Sequence, residues 1–266
     1  MWLENLASYR ERVLRRASLS PGETLLDVGC GDGLIGFGAA TLVGESGRVI
    51  FSDISPALLD ECRRSASQMH LEGRCSFVRA PADDLSPIPD GSIDVVTTRS
   101  VLIYVEKKAA AFQEFARVLT EGGRISLFEP INRHFADDPG AWWGYDVDPI
   151  HDLVEKIEAT WHSADSGTPD PMMDFDEKDL FRFAEMAGFR TVRLDLEVVR
   201  EPGSWVTSWE ALLDTAGNPL DPTLRESMEM VLSPEEIEAF EAHVRPQVEK
   251  GEGVKKSAFA YLYAAK

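Results

Sequence analysis

The stretch Thr24-Leu25-Leu26-Asp27-Val28-Gly29-Cys30-Gly31-Asp32-Gly33 joins a short apolar strand, an acidic residue and a glycine-rich turn. Glycine has no Cβ, so such a turn bends tightly and lets backbone N–H groups come close to a ligand. A helix opening near Leu34 adds the positive end of its dipole, and together these features point to a nucleotide-type cofactor. Asp53 ends the next apolar run, where its two carboxylate oxygens can accept hydrogen bonds from both hydroxyls of a ribose. Two spacings overlap at this turn. Gly31-x-Gly33-x-x-Gly36, with Asp53 on the following strand, satisfies the dinucleotide fingerprint. Asp27-x-Gly29-x-Gly31-x-Gly33 instead sets an acid ahead of three glycines at alternate positions.

The second spacing resembles the first motif of class I S-adenosylmethionine (SAM)-dependent methyltransferases, and further pieces follow in the order that family shows. Phe51-Ser52-Asp53-Ile54-Ser55 closes a second strand, and Ala82-Asp83-Asp84-Leu85 through Pro89-Asp90-Gly91-Ser92-Ile93-Asp94-Val95-Val96 leads into a fourth. Arg99 to Val105, Phe112 to Leu119 and Glu121-Gly122-Gly123-Arg124-Ile125 look like the family's post-strand segment, helix and next strand. The resemblance covers Leu19 to Asn132, and more weakly Phe175 to Val199 and the last strand. Its particular look is that of the ubiquinone and menaquinone methyltransferase-like branch. It implies that Gly29, Cys30, Gly31 and Gly33 pass beneath the methionine portion of SAM, with Asp27 orienting the turn or reaching the ammonium through water. It also implies that Ile54 lies against adenine, that Ala82 and Asp83 read the adenine edge, and that Arg99, Ser100 and Leu102 run past the amino end. Pro81 stands where many relatives carry an acidic residue, so that Asp83 or Asp84 either takes over recognition of the adenine amino group or is simply solvated.

By the same resemblance the cofactor is S-adenosyl-L-methionine, its product S-adenosyl-L-homocysteine, and the partner a small-molecule methyl acceptor whose nucleophile is O, N or C. Methyl transfer is an in-line displacement at a sulfonium carbon, in which alignment and water exclusion supply much of the acceleration. A base is needed only when the acceptor must lose a proton. Glu129, His134, His151 and His162 are the base candidates, with His134 favoured because it follows the fifth strand closely. Tyr104 borders the acceptor in this reading, and Trp142, Trp143, Tyr145 and Trp205 or Trp209 are candidates for an aromatic wall. Core packing is the competing explanation for these aromatics. Asp146, Asp148, His151 and Asp152 form an acidic cluster without metal-ligand spacing, and no metal is expected. Two rival readings stand beside the methyltransferase: an NAD-dependent oxidoreductase, on the literal dinucleotide spacing, and a non-catalytic SAM-binding module. Arsenic methylation is disfavoured, since Cys30, Cys62 and Cys75 are the only cysteines.

These groups must be carried by an alternation of strands and helices, which specifies a mainly parallel sheet. Strands are expected at Leu25 to Val28, Arg48 to Ser52, Cys75 to Arg79, Ile93 to Thr98 and Gly123 to Glu129. Helices are expected at Leu34 to Val43, Pro56 to Met69 and Lys107 to Leu119, with Ser55 as an N-cap ahead of Pro56. A further helix at Asp176 to Ala187 and an edge-side strand at Thr191 to Val199 resume the pattern, and Ala258 to Tyr263 reads as a closing strand. The family likeness places that last strand antiparallel beside the fifth. The fold expected is therefore α/β, a Rossmann-like doubly wound seven-stranded sheet with helices on both faces. The whole chain, 1–266, is read as a single methyltransferase domain with an N-terminal cap helix (1–18), a lid insertion (131–175) and a helical insertion (202–253). Three helices are expected in the second insertion, around Trp205 to Thr215, at Pro222 to Val231, and from Pro234 to about Val244 with Pro246 stopping it.

Composition narrows the function further. With 27 basic against 46 acidic residues the net charge is −19, which repels phosphate backbones, so no nucleic-acid partner is expected. No apolar run is long enough for a membrane span, and no membrane partner is expected. The odd number of cysteines and the absence of Cys-x-x-Cys spacing argue against a disulfide framework and for a reducing, cytoplasmic setting. A monomer or homodimer is expected.

Overall fold

The computed structural model describes residues 2–135, 142–161, 170–204, 206, 208–216 and 221–266. In chain order the main elements are α1 (Trp2–Ala17), β1 (Thr24–Val28), α2 (Leu34–Leu42), β2 (Arg48–Asp53), α3 (Pro56–Gln68), β3 (Cys75–Arg79), β4 (Ile93–Arg99), α4 (Lys108–Val118) and β5 (Leu119–Pro130). They continue with α5 (His151–Glu158), α6 (Glu177–Met186), β6 (Thr191–Pro202), α7 (Trp209–Leu213), α8 (Leu224–Val231), α9 (Pro234–Lys250) and β7 (Val254–Ala265).

The strands form one seven-stranded sheet in the order β3-β2-β1-β4-β5-β7-β6. β1, β2, β3, β4 and β5 run parallel, and β7 enters antiparallel to β5, with Leu127 facing Leu262. The central strands are nearly continuous in apolar residues because both faces are covered. Leu25, Leu26, Phe51, Val95 and Leu127 are all buried. The order reverses between β1 and β4, and the glycine turn after β1 and the segment after β4 therefore meet at the carboxyl edge, where open α/β sheets bind ligands.

Two compact units emerge from the contacts. The first comprises residues 1–131, 175–197 and 259–266 and holds most of the sheet. Its main cluster joins Val13 and Leu14 of α1, Ile35 and Ala39 of α2, Leu59 and Cys62 of α3, and Phe51 and Phe128 of the strands. α1 is pinned to the sheet by a hydrogen bond from Ser126 Oγ to the Val13 carbonyl (2.8 Å) and by one from Arg124 Nε to the Ala17 carbonyl. α4 and α6 pack together through Phe112 and Phe183, whose ring centres are 6.0 Å apart.

The second unit comprises residues 132–174 and 198–258. It has its own core, in which Trp142, Tyr145, Val154, Ile157, Trp209, Leu212, Met228, Phe240 and Val244 pack together. Capping boxes open α8 at Thr223 and α9 at Ser233, satisfying N–H groups that the first turn leaves unpaired. One expectation is corrected here. Pro246 does not stop α9, which continues to Lys250 and ends on Gly251 in the left-handed conformation (φ 66°). Burial of Val244 and Val248 holds the helix on both sides of the proline, whose missing N–H leaves one carbonyl of the previous turn unpaired by the backbone. The helix expected from Trp205 is shorter, starting at Trp209 on a Ser208 cap. Among the described residues, no helix is long and apolar enough to cross a membrane.

Candidate active site

The corner begins with a carboxylate that the solvent cannot reach. Asp27, near the end of β1, is 2 % exposed and accepts hydrogen bonds from the Gly36 N–H and from Thr97 Oγ1, both at 2.9 Å. Burial pushes its carboxyl up to about 7, against the opposing pull of those two donors and of Arg99. Asp27 thus ties the first turn of α2 to β1 and β4.

Between β1 and α2 the chain passes through three left-handed residues, Gly29 (φ 62°), Gly31 (φ 56°) and Gly33 (φ 85°). Each needs glycine for a separate reason. A Cβ on Gly29 would stand 2.4 Å from Val101, and one on Gly33 2.4 Å from Phe37. A Cβ on Gly31 would meet nothing within 4 Å. The turn is therefore packed on either side of Gly31 and open above it. Cys30 donates its N–H to the Ser52 carbonyl (2.9 Å), which docks the turn against β2.

Asp53 closes β2 directly beside that opening. It is 7 % exposed, and its Oδ2 accepts the Gly31 N–H while Oδ1 accepts the Ser55 N–H, both at 2.9 Å. Each oxygen retains a further lone pair, so the carboxylate can hold the loop and still accept from a ligand. Ser55 caps α3 through the Leu58 N–H, with Pro56 in the first turn, and this fixes where Asp53 and Ile54 emerge. Ile54 is 65 % exposed, an apolar side chain held out over the same edge. Beyond β3, Ala82 is buried and Asp83 half-buried, whereas Asp84 is exposed and spends Oδ1 on the Ser86 N–H (3.1 Å). That leaves Asp83 as the freer of the two acids.

The segment after β4 completes the edge. Ser100 sits at φ 55°, a left-handed conformation unusual for a residue with a side chain, and donates its N–H to the Phe128 carbonyl (2.9 Å). The residues on either side of it are tied to Glu129, whose carboxylate accepts from Thr98 Oγ1 (3.2 Å), the Val101 N–H (3.0 Å) and the Ile103 N–H (3.3 Å). Glu129 is fully buried, and burial pushes its carboxyl up to about 7. The expectation of a base at Glu129 is corrected by this geometry: the carboxylate is fully buried and its oxygens are committed to the Thr98 hydroxyl and the Val101 and Ile103 N–H groups. Arg99 is half-buried, and Tyr104 is 54 % exposed on the short helical turn that follows.

Sequence reasoning missed Thr97, Thr98 and Cys62 at this corner. The signal for the threonines is two adjacent hydroxyls ending a strand that is otherwise Ile-Asp-Val-Val, and for Cys62 its place one turn from Leu59 on the inward face of α3.

The remaining candidates lie in the second unit. His134 is exposed on a short turn, edge-on to Phe135 at 4.8 Å, and His151 is exposed beside Glu155 (3.2 Å). His162 and Trp205 fall outside the described residues. Trp142 and Tyr145 are corrected from acceptor wall to core: Tyr145 is 1 % exposed and donates its hydroxyl to the Val206 carbonyl (2.7 Å), and Trp142 is 8 % exposed against Phe240. Trp209 is likewise buried in this core, while Trp143 is half-buried at 4.4 Å from Trp142. Asp146 and Asp148 belong to a turn in which the Asp146 carboxylate accepts the Asp148 N–H (3.1 Å). Among the described residues, no group of three or more His, Cys, Asp or Glu side chains is placed to hold a metal ion.

Comparison with known proteins bears on this corner directly. A family model described as a methyltransferase domain matches residues 19–163. The ubiquinone/menaquinone biosynthesis C-methyltransferase UbiE of Vibrio vulnificus is 34% identical over 151 residues, covering 52% of this chain and 58% of its own. The protein of the same name from Cronobacter sakazakii is 30% identical over 179 residues, covering 64% of this chain and 68% of its own. The chain spans about half the length of several of the curated relatives it matches. Among solved structures, the YcgJ protein of Bacillus subtilis superposes with a TM-score of 0.60 over 97% of this chain and 98% of its own, at 13% identity, which is a likeness of fold.

Proposed function

Since the chain belongs to the class I SAM-dependent methyltransferases, we propose that it transfers a methyl group from SAM to an oxygen, nitrogen or carbon nucleophile of a small organic molecule, leaving S-adenosyl-L-homocysteine. The observation that carries this reading is the left-handed Gly31, open above its Cα, with its N–H fixed by Asp53. A ligand with a sugar diol meets there a carboxylate with free lone pairs and a backbone that no side chain shields.

The residues present fit SAM part by part. Asp53 would hold the ribose hydroxyls by charge-assisted hydrogen bonds, each stronger than a neutral one. Ile54, held out from the edge, would cover one face of the adenine, and Ala82 and Asp83 would meet its rim. Gly29, Cys30, Gly31 and Gly33 would underlie the methionine portion, and the backbone of Arg99 and Ser100 would border its amino end. When bound, SAM supplies an electrophilic methyl carbon on a positively charged sulfur.

The chain's own contribution is positional. Asp27 fixes the turn after β1, and Glu129 fixes the segment after β4, so the two walls of the cofactor edge are each clamped by a buried carboxylate. A rigid edge of this kind holds a reacting atom in line without acid chemistry, and small misplacements would lose much of the rate. Tyr104, exposed next to the clamped segment, is proposed to border the acceptor. His134 is proposed as the base for an acceptor that must lose a proton. The relatives named as C-methyltransferases of quinone biosynthesis make a quinone precursor one acceptor to test.

Isothermal titration against SAM, S-adenosyl-L-homocysteine and NAD tests the reading. Binding of SAM and its product without NAD is expected; binding of NAD without SAM would replace it with an oxidoreductase. Incubation with methyl-labelled SAM and a small-metabolite extract then separates transfer from mere cofactor binding.

A further inference from the structure

Gly31 is held on both sides. Its N–H donates to Asp53 Oδ2 at 2.9 Å, and its carbonyl oxygen accepts from two thiols, Cys62 Sγ at 3.3 Å and Cys30 Sγ at 3.8 Å. The two sulfurs come from different elements, Cys30 from the glycine turn and Cys62 from the inward face of α3, and they meet at the same carbonyl oxygen. Cys62 is fully buried and Cys30 is 7 % exposed. Apolar packing alone would be served at least as well by alanine or valine, since a thiol is a weak donor and the Gly31 carbonyl needs only one partner. Two thiols converging on one oxygen, at the residue that opens the cofactor edge, form a unit with chemistry of its own.

We propose that Cys30 and Cys62 are an oxidisable dithiol that couples this edge to peroxide, the reduced pair permitting cofactor binding and the Cys30–Cys62 disulfide opposing it. The oxidant class is a hydroperoxide. One sulfur, as thiolate, attacks a peroxide oxygen; an S–O bond forms, the O–O bond breaks, and the departing hydroxide leaves as water after taking a proton. The sulfur of the second cysteine then displaces the sulfenic hydroxyl, forming the S–S bond and releasing a second water with the thiol proton. Two thiols lose two electrons and the peroxide gains them. A dithiol reductant reverses the change by exchange.

The consequence follows from Gly31. The disulfide removes both S–H donors from its carbonyl and draws two sulfurs that now converge on that oxygen to a covalent length of about 2.05 Å. α3 and the glycine turn must move together, and the Gly31 N–H moves relative to Asp53, the proposed holder of the ribose. The effect on cofactor rests on the function proposed above; formation of the bond does not.

The test uses the full chain and hydrogen peroxide. Reduced protein is oxidised, its remaining thiols are blocked with N-ethylmaleimide, and digested peptides are weighed. A disulfide-linked pair containing Cys30 and Cys62 is expected, together with SAM affinity weakened by about tenfold or more, equivalent to ~1.4 kcal/mol, and restored by dithiothreitol. Cys62→Ala is expected to form no linked pair and to keep the same SAM affinity, whatever its value, before and after peroxide. Linkage of Cys62 to Cys75, accumulation of sulfinic acid without linkage, or a formed Cys30–Cys62 bond that leaves SAM affinity unchanged would each overturn the proposal. The peptide readout needs no variant, so it decides the chemistry even if Cys62→Ala fails to fold. Reduced parent protein that binds no SAM would refute the cofactor reading, while the linked peptide would still report on the dithiol.

Discussion

Replacing Glu129 with glutamine probes the clamp that holds the segment after β4. In the folded chain burial pushes this carboxyl up to about 7 from an ordinary value of 4.5. Between those two pH values the folded protein keeps a proton that the unfolded chain has lost. The stabilisation from Glu129 is therefore complete below about 4.5 and is lost as pH rises through about 7. At ~1.4 kcal/mol per pKa unit, the loss is on the order of 3 kcal/mol. Glutamine cannot titrate, and its amide NH2 points a donor at a backbone N–H that the carboxylate satisfied, a fixed destabilisation of about 1–3 kcal/mol. Asp27, also pushed up to about 7, contributes the same slope to both proteins and cancels in the difference. Urea unfolding of parent and Glu129→Gln at intervals from pH 5 to pH 8 measures it. The parent's advantage over the variant should shrink by about 2–3 kcal/mol across that range. Parallel pH curves, or a gap that widens with pH, would refute the reasoning that Glu129 is a buried, inward-facing anchor.

Asp53→Ala should weaken SAM binding by about 1.5–3 kcal/mol, the usual worth of a charged hydrogen bond, and unchanged affinity in titration would remove Asp53 from the site. Gly31→Ala forces a Cβ into a left-handed conformation at a strain of about 1–2 kcal/mol and also fills the open space above the turn. Its loss in SAM affinity should therefore exceed its loss in melting stability; equal losses would mean that the space is not used by cofactor. His134→Ala should leave SAM affinity unchanged and lower turnover on an acceptor that gives up a proton, and normal turnover on such an acceptor would eliminate it as the base.

The glycine turn, its acid and the succession of strands could be read from residue types because each depends on local chemistry: a left-handed turn needs glycine, and a doubly covered strand needs an apolar run. The order of the strands was available only through family likeness, since pairing in β5 and β7 joins residues more than a hundred positions apart. The inward contacts of Asp27 and Glu129 were hidden for another reason. A carboxylate at a strand end can face a ligand or the interior, and what turns these two inward are the Thr97 hydroxyl, the Gly36 N–H and the Val101 and Ile103 N–H groups, which no spacing announces. Trp142 and Tyr145 present the same ambiguity in aromatic form, because a core and a ligand wall select the same side chains. Pro246 shows the limit of a local rule: burial on both sides of a proline outweighs its preference to end a helix.

SAM is proposed to lie over Gly31 with its ribose on Asp53. A crystal structure determined with S-adenosyl-L-homocysteine tests it most directly. The nucleoside is expected along the edge formed by the turns after β1 and β4, with both ribose hydroxyls within hydrogen-bonding distance of the Asp53 carboxylate and the adenine against Ile54. Ligand bound elsewhere on the chain, or a side chain filling the space above Gly31 at saturating ligand, would contradict it.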